Sequence, residues 1–137
     1  MIKVNTRCAV QDGYDALMYL LGQLNCVDLP VENDVGHRVF VDKVDSRLVG
    51  TCYLNVIPNL TRGARPDALV ENIVTEVHYR NHGVGQALMK HASTFAREAG
   101  CYRVMLMTGR NDEAVHSFYQ KCGFSARQKS AYIKRWD

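Results

Sequence analysis

The sequence has no Cys-x-x-Cys pair, no long apolar run and little charge imbalance. Its five cysteines, Cys8, Cys26, Cys52, Cys101 and Cys122, are odd in number and widely spaced. That pattern excludes a zinc ribbon or a thioredoxin-type motif and reads as reduced, buried thiols. Nothing approaches the ~20 apolar residues of a membrane span, and Met1-Ile2-Lys3-Val4-Asn5 has no signal-peptide core, so the expected compartment is the cytoplasm. A net charge of +3 over 137 residues, with both signs interleaved, gives no basis for a nucleic acid or membrane partner. Repeats, low-complexity tracts and linkers are also missing, so a single domain over residues 1–137 is expected. Five histidines are present, yet His78 and His82 straddle a loop and no Cys or carboxylate cluster accompanies them. No metal site is expected.

What the chain does have is a sequence of short patterned segments. Ile2 to Val10 carries β-branched residues and predicts a strand, and Tyr14 to Leu24 has a helical apolar stripe. Residues 25–36 show no period and predict a loop. His37 to Asp45 and Leu48 to Ile57 read as strands joined by a turn at Asp45-Ser46. A loop bounded by Pro58 and Pro66 follows. Ala68 to Val77 is apolar on both faces, which predicts a strand inside the sheet. Gln86 to Ala99 predicts an amphipathic helix with Leu88, Met89, Ala92, Phe95, Ala96 and Ala99 inward, stopped by Gly100. Cys101 to Thr108 predicts a strand parallel to 68–77, because a helical crossover joins them. Asn111 to Lys121 predicts a second helix stopped by Gly123, and Phe124 to Trp136 predicts one or two closing strands. The order gives an α/β or α+β domain on a mixed central sheet flanked by helices.

The segment Arg80-Asn81-His82-Gly83-Val84-Gly85 joins strand 68–77 to helix 86–99. Strand, glycine loop and helix N-terminus together form an arrangement whose backbone N–H groups cradle a phosphate. No Gly-Lys-Ser/Thr follows, which excludes a Walker A loop. Leu88 stands where a dinucleotide fingerprint needs its third glycine. Taken alone, the glycine pair is equally a turn that starts a helix.

Arg80-x-x-Gly83-x-Gly85 resembles the Gln/Arg-x-x-Gly-x-Gly/Ala signature of the GNAT superfamily of N-acetyltransferases. Phe118-Tyr119-Gln120-Lys121-Cys122-Gly123-Phe124 resembles that superfamily's second hallmark, Phe-Tyr-x-x-x-Gly-Phe at a helix end. The two occur in the family's order, separated by one helix and one strand. The resemblance implies a GNAT-like fold in which strands 68–77 and 101–108 splay apart around acetyl-CoA. It implies that N–H groups from Asn81, His82, Gly83, Val84, Gly85 and Gln86, with Arg80 beside them, bind the coenzyme A pyrophosphate. It also implies that Ile73, Val74 and Thr75 pair with the pantetheine arm, and that Tyr119 is the general acid. A phenol suits that role because it stays protonated at neutral pH. Phe118 reads as core.

Glu71 lies in an otherwise apolar strand. It is either the base that takes the amine's proton, with a pKa raised by burial, or a solvent-facing or ion-paired strand residue. Relatives often place an Asn against the pantetheine near position 111. The spacing from Asn111 to Tyr119 is one residue longer than usual, so Asp112 is an alternative for that contact and Asn111 for a helix cap. Glu71-Asn72 and Cys122-Gly123-Phe124 further resemble glucosamine-6-phosphate N-acetyltransferases. The acceptor implied is a small-molecule primary amine, an amino sugar or its phosphate among them, with Arg62, Arg65, Lys129, Lys134 and Arg135 as candidates to meet a phosphate. Family analogy implies a homodimer, with 130–136 as an edge for a partner chain. The competing readings are a coenzyme A-binding sensor without turnover and a protein-lysine acetyltransferase.

Overall fold

Alternating apolar residues and a tight turn build the first hairpin of the computed structural model, which describes residues 5–8 and 36–136. Strand β2 (His37–Val44) pairs antiparallel with β3 (Arg47–Ile57). Asp45 (φ 47°) and Ser46 (φ 66°) are both left-handed, as a two-residue hairpin turn of the favoured twist requires. Strand β1 (Asn5–Cys8) lies antiparallel on the other side of β2. The expected helix over 14–24 and the expected loop over 25–35 fall outside the described residues, as do residues 2–4 and 9–10 of the first strand.

Strand β4 (Asp67–Thr75) pairs antiparallel with β3 and, on its other side, parallel with β5 (Arg103–Leu106), giving one mixed sheet in the order β1-β2-β3-β4-β5. The expected mixed sheet and its parallel pair are therefore present. Helix α1 (Val84–Glu98) is the crossover between β4 and β5. It buries Val84, Leu88, Met89, Ala92 and Ala96. The fully buried Phe40 meets the His91 and Phe95 rings of α1 edge to face at 5.1 and 5.6 Å. On the opposite face of the sheet Val41, Leu48 and Val74 form a second buried cluster.

Several boundaries differ from the sequence expectation. β4 ends at Thr75, because Glu76 turns out of the ladder and its carboxylate accepts from the His78 N–H at 3.1 Å, capping a 3-10 turn over Val77–Tyr79. α1 begins at Val84, two residues early, because Gly83 (φ 84°) makes the turn that starts it. Ala99 is exposed as the residue that caps the helix. Gly100 (φ 82°) and Cys101 then close a Schellman motif on Arg97 and Ala96, each N–H donating at 3.0 Å.

The contacts divide the chain into two compact units, Met1–Leu106 and Met107–Asp137. In the second, α2 (Glu113–Lys121) is capped by Asp112 rather than begun at Asn111. The Asp112 carboxylate accepts from the Val115 N–H at 3.1 Å and from Arg110 at 3.0 Å. The Val115 bond, followed by the Arg110 charge, holds its pKa below the ordinary carboxylate value. The closing strands expected over 124–136 are not formed: this segment joins no ladder among the described residues. Alternation alone does not make a strand without a neighbour to take its N–H and C=O groups.

Candidate active site

The signature loop is built by left-handed residues at two positions. Asn81 has φ 62° and Gly83 φ 84°. Asn tolerates this conformation and Gly adopts it without a Cβ penalty. The first intrahelical bond of α1 runs from the Ala87 N–H to the Gly83 carbonyl at 3.0 Å. The N–H groups of Val84, Gly85 and Gln86 precede it and have no acceptor within the helix. Gly83 brings no capping side chain and the first turn contains no acidic residue. The positive pole of α1 is thus left with its donors for an anion.

Two neighbours fix the loop's approach. Arg80 Nε donates to the Thr75 carbonyl at 3.1 Å, bending the chain back on the end of β4. His82 Nδ1 lies 2.7 Å from the Arg80 carbonyl, and its side chain is exposed. Arg80, Asn81, His82, Gly83, Val84, Gly85 and Gln86 are therefore consecutive parts of one turn, with Val84 buried beneath it.

Strand β4 contains an irregularity that its sequence does not announce as such. Thr51 pairs with Val74 and Tyr53 with Glu71, so Asn72 and Ile73 together stand opposite Cys52. Asn72 is left-handed, with φ 53°, and exposed. This is a β-bulge, which bends a strand and re-aims its side chains. The parallel ladder with β5 reaches only from Asp67–Arg103 to Val70–Leu106. Past Val70 no strand among the described residues pairs with β4 on that side. Ile73, Val74 and Thr75 thus offer an unpaired strand edge that leads to the donor loop.

Glu71 is partly exposed at the start of this open stretch. Its register partner Tyr53 stacks on His37 with ring centroids 6.1 Å apart. Cross-strand partners share a sheet face. Phe40 and Cys52 are paired and their face meets α1, so Glu71 and Tyr53, one residue out of step, stand on the opposite face.

In the second unit Tyr119 is half-buried on α2. Burial raises its pKa above the ordinary phenol value, the Cys122 thiol adds to the rise, and Arg110 opposes it. The rings of Phe118 and Phe124 meet Tyr119 edge to face at 5.1 and 6.5 Å. Asn111 is exposed just ahead of the cap.

Two basic candidates are committed elsewhere. Arg65 donates to the Gly100 and Cys101 carbonyls at 3.2 and 3.1 Å, tying its loop to the end of α1. Arg62 lies over the Tyr102 ring at 5.7 Å, with Arg103 5.0 Å from the same ring. Lys129, Lys134 and Arg135 are exposed. Among the described residues no three His, Cys, Asp or Glu side chains are grouped to hold a metal ion, and no helix is long and apolar enough to cross a membrane.

Residues 6–124 match the family model described as Acetyltransferase (GNAT) family. The chain is 32% identical over 105 residues to a glucosamine 6-phosphate N-acetyltransferase of Trypanosoma brucei brucei, covering 77% of this chain and 69% of that enzyme. A probable glucosamine 6-phosphate N-acetyltransferase 2 of Oryza sativa is 32% identical over 80 residues, 58% of this chain and 46% of the rice protein. Among solved structures, a putative acetyltransferase from Agrobacterium tumefaciens superposes with a TM-score of 0.84 at 36% identity, covering 96% of this chain and 99% of that one.

Proposed function

The chain belongs to the GNAT family of acetyltransferases, which use acetyl-CoA, and on that premise we propose that it acetylates the primary amine of an amino sugar or amino-sugar phosphate. The observation that carries the cofactor half is the set of N–H groups at Val84, Gly85 and Gln86, left without acceptors among the described residues at a helix pole whose first turn has no acidic residue. A pyrophosphate satisfies them, and Arg80 adds a positive charge beside it. The unpaired edge at Ile73, Val74 and Thr75 receives the amide groups of the pantetheine arm as a further strand would. Asn111 is assigned to the same arm.

The reaction needs no covalent enzyme intermediate. The neutral amine forms a bond to the acetyl carbonyl carbon while the carbon–sulfur bond breaks. Glu71 accepts the proton that the ammonium loses, and the Tyr119 hydroxyl gives its proton to the departing thiolate. The second proton, shed by the nitrogen as the amide forms, passes to solvent, from which the Tyr119 phenolate is reprotonated. The sugar class is favoured by the trypanosomal and rice relatives, whose names specify glucosamine 6-phosphate.

The test is free-thiol release from acetyl-CoA over a panel containing glucosamine 6-phosphate, glucosamine, an aminoglycoside and a lysine peptide, run beside thermal shift with acetyl-CoA. Thiol release with glucosamine 6-phosphate exceeding that with the peptide is expected. Stabilisation by acetyl-CoA without release on any amine identifies a coenzyme A sensor instead, and release only on the peptide identifies a protein acetyltransferase.

A further inference from the structure

We propose that Gly50 is a positioning residue for the anion-binding turn: the first turn of α1 occupies the space its Cβ would fill, so a side chain at 50 displaces the donors that hold the cofactor's phosphates. This rests on the assignment of residues 81–86 to the coenzyme A pyrophosphate. A Cβ on Gly50 would stand 2.6 Å from Val84 Cγ1 and 2.9 Å from Leu88 Cδ1, with the Val74 carbonyl oxygen at 3.4 Å. Gly50 is not among the residues with positive φ, so space and not backbone torsion is what requires glycine here.

Leu88 Cδ1 is the far end of a flexible side chain and turns aside at little cost, whereas Val84 Cγ1 has little freedom to yield. Val84 is 1% exposed and Leu88 is fully buried. Val84 is also β-branched and held to one main rotamer in a helix. Relief therefore comes from movement of the turn itself, and this turn carries the N–H groups of Val84, Gly85 and Gln86.

The same short stretch of β3 holds the loop at other points. Val49 is the extra residue of a bulge, since Gly50 pairs with Asp42 and Leu48 with Lys43. Its carbonyl accepts from the Glu76 N–H at 2.8 Å. The Arg47 guanidinium lies 5.8 Å from the centroid of the Tyr79 ring. Gly50 itself pairs with Thr75, whose carbonyl accepts from Arg80. Residues 47–50 thus form the bed of the loop from Glu76 to Val84. Glu71 lies beyond the Asn72–Ile73 bulge from this bed, so Gly50 governs cofactor affinity rather than the proton transfer.

The experiment compares calorimetric binding of acetyl-CoA with that of S-acetylpantetheine, which lacks the pyrophosphate and nucleotide. Gly50→Ala is expected to weaken acetyl-CoA by about tenfold or more and to leave S-acetylpantetheine within about twofold. Val84→Ala added to Gly50→Ala is expected to return acetyl-CoA binding close to that of Val84→Ala alone. Unchanged acetyl-CoA binding, or equal losses on both ligands, overturns the proposal. If Gly50→Ala does not fold, the double variant decides. Folding with the affinity of Val84→Ala supports the role, and failure to fold or binding about tenfold weaker overturns it. A wild-type protein that binds acetyl-CoA no more tightly than S-acetylpantetheine removes the loop assignment, and the role of Gly50 with it, before any variant is compared.

Discussion

Phe124 donates its backbone N–H to the Tyr119 carbonyl at 3.0 Å, and the two rings meet edge to face at 6.5 Å. With the Gly123 N–H donating to Gln120 at 2.9 Å and Gly123 at φ 88°, this is a complete Schellman cap. The Phe-Tyr-x-x-x-Gly-Phe spacing therefore has a structural reason. The motif ends a helix in a way that packs the second aromatic of the pair against the last residue, fixing where the phenol stands.

Gly123→Ala is expected to destabilise the protein by about 1 kcal/mol, the cost of a Cβ in the left-handed region. A Cβ there meets no atom within 4 Å, so the cost is torsional and Gly123→Asn should recover most of it. Denaturant titration of the variants checks this, and equal stability of Gly123→Ala and wild type would contradict the cap.

Tyr119→Phe keeps the ring and its contacts but removes the proton donor. kcat should fall by about 100-fold with acetyl-CoA affinity unchanged. Because burial raises the phenol's pKa above its ordinary value of 10.0, any alkaline limb due to Tyr119 belongs above pH 10 and should vanish in the variant. Unchanged turnover removes Tyr119 from the reaction.

Glu71→Gln preserves size and strand register while removing the proton acceptor. Turnover about 100-fold slower at unchanged acetyl-CoA affinity is expected. A variant as fast as wild type would leave the ammonium proton to a chain of water molecules.

Cys52 is fully buried, and burial together with the nearby Asp42 carboxylate pushes its thiol up to about 12 from 9.0. A pKa raised on folding favours the neutral thiol in the native state. Its stabilising share is complete below pH 9 and is lost as pH rises toward 12, at up to about 1.4 kcal/mol per pH unit. Stability measured between pH 8 and 11 should fall less steeply in Cys52→Ala than in wild type, and equal slopes would refute this.

Local chemistry made much of the protein legible in the sequence. The Asp45-Ser46 turn, the inward stripe of α1, the stops at Gly100 and Gly123 and the donor turn at Gly83 each depend on residues a few positions apart. Short-range geometry settles such features. The two signature motifs belong to this class, since one is a helix start and the other a helix end. Asn72 was legible only as a residue that tolerates positive φ, because a bulge exists only relative to the strand it faces.

Other features depend on contacts between distant segments. Gly50 reads as a weak residue in a strand until Val84 and Leu88 are brought against it. Arg62 and Arg65 read as free cations until Tyr102 and the carbonyls at 100 and 101 engage them. Residues 130–136 alternate like a strand yet pair with nothing among the described residues. These outcomes depend on partners far away in the chain, whose identity no local period encodes. Turns, caps and the donor loop follow from residues adjacent in the chain. Only the folded sheet decided how β3 and the bulge of β4 hold that loop in place.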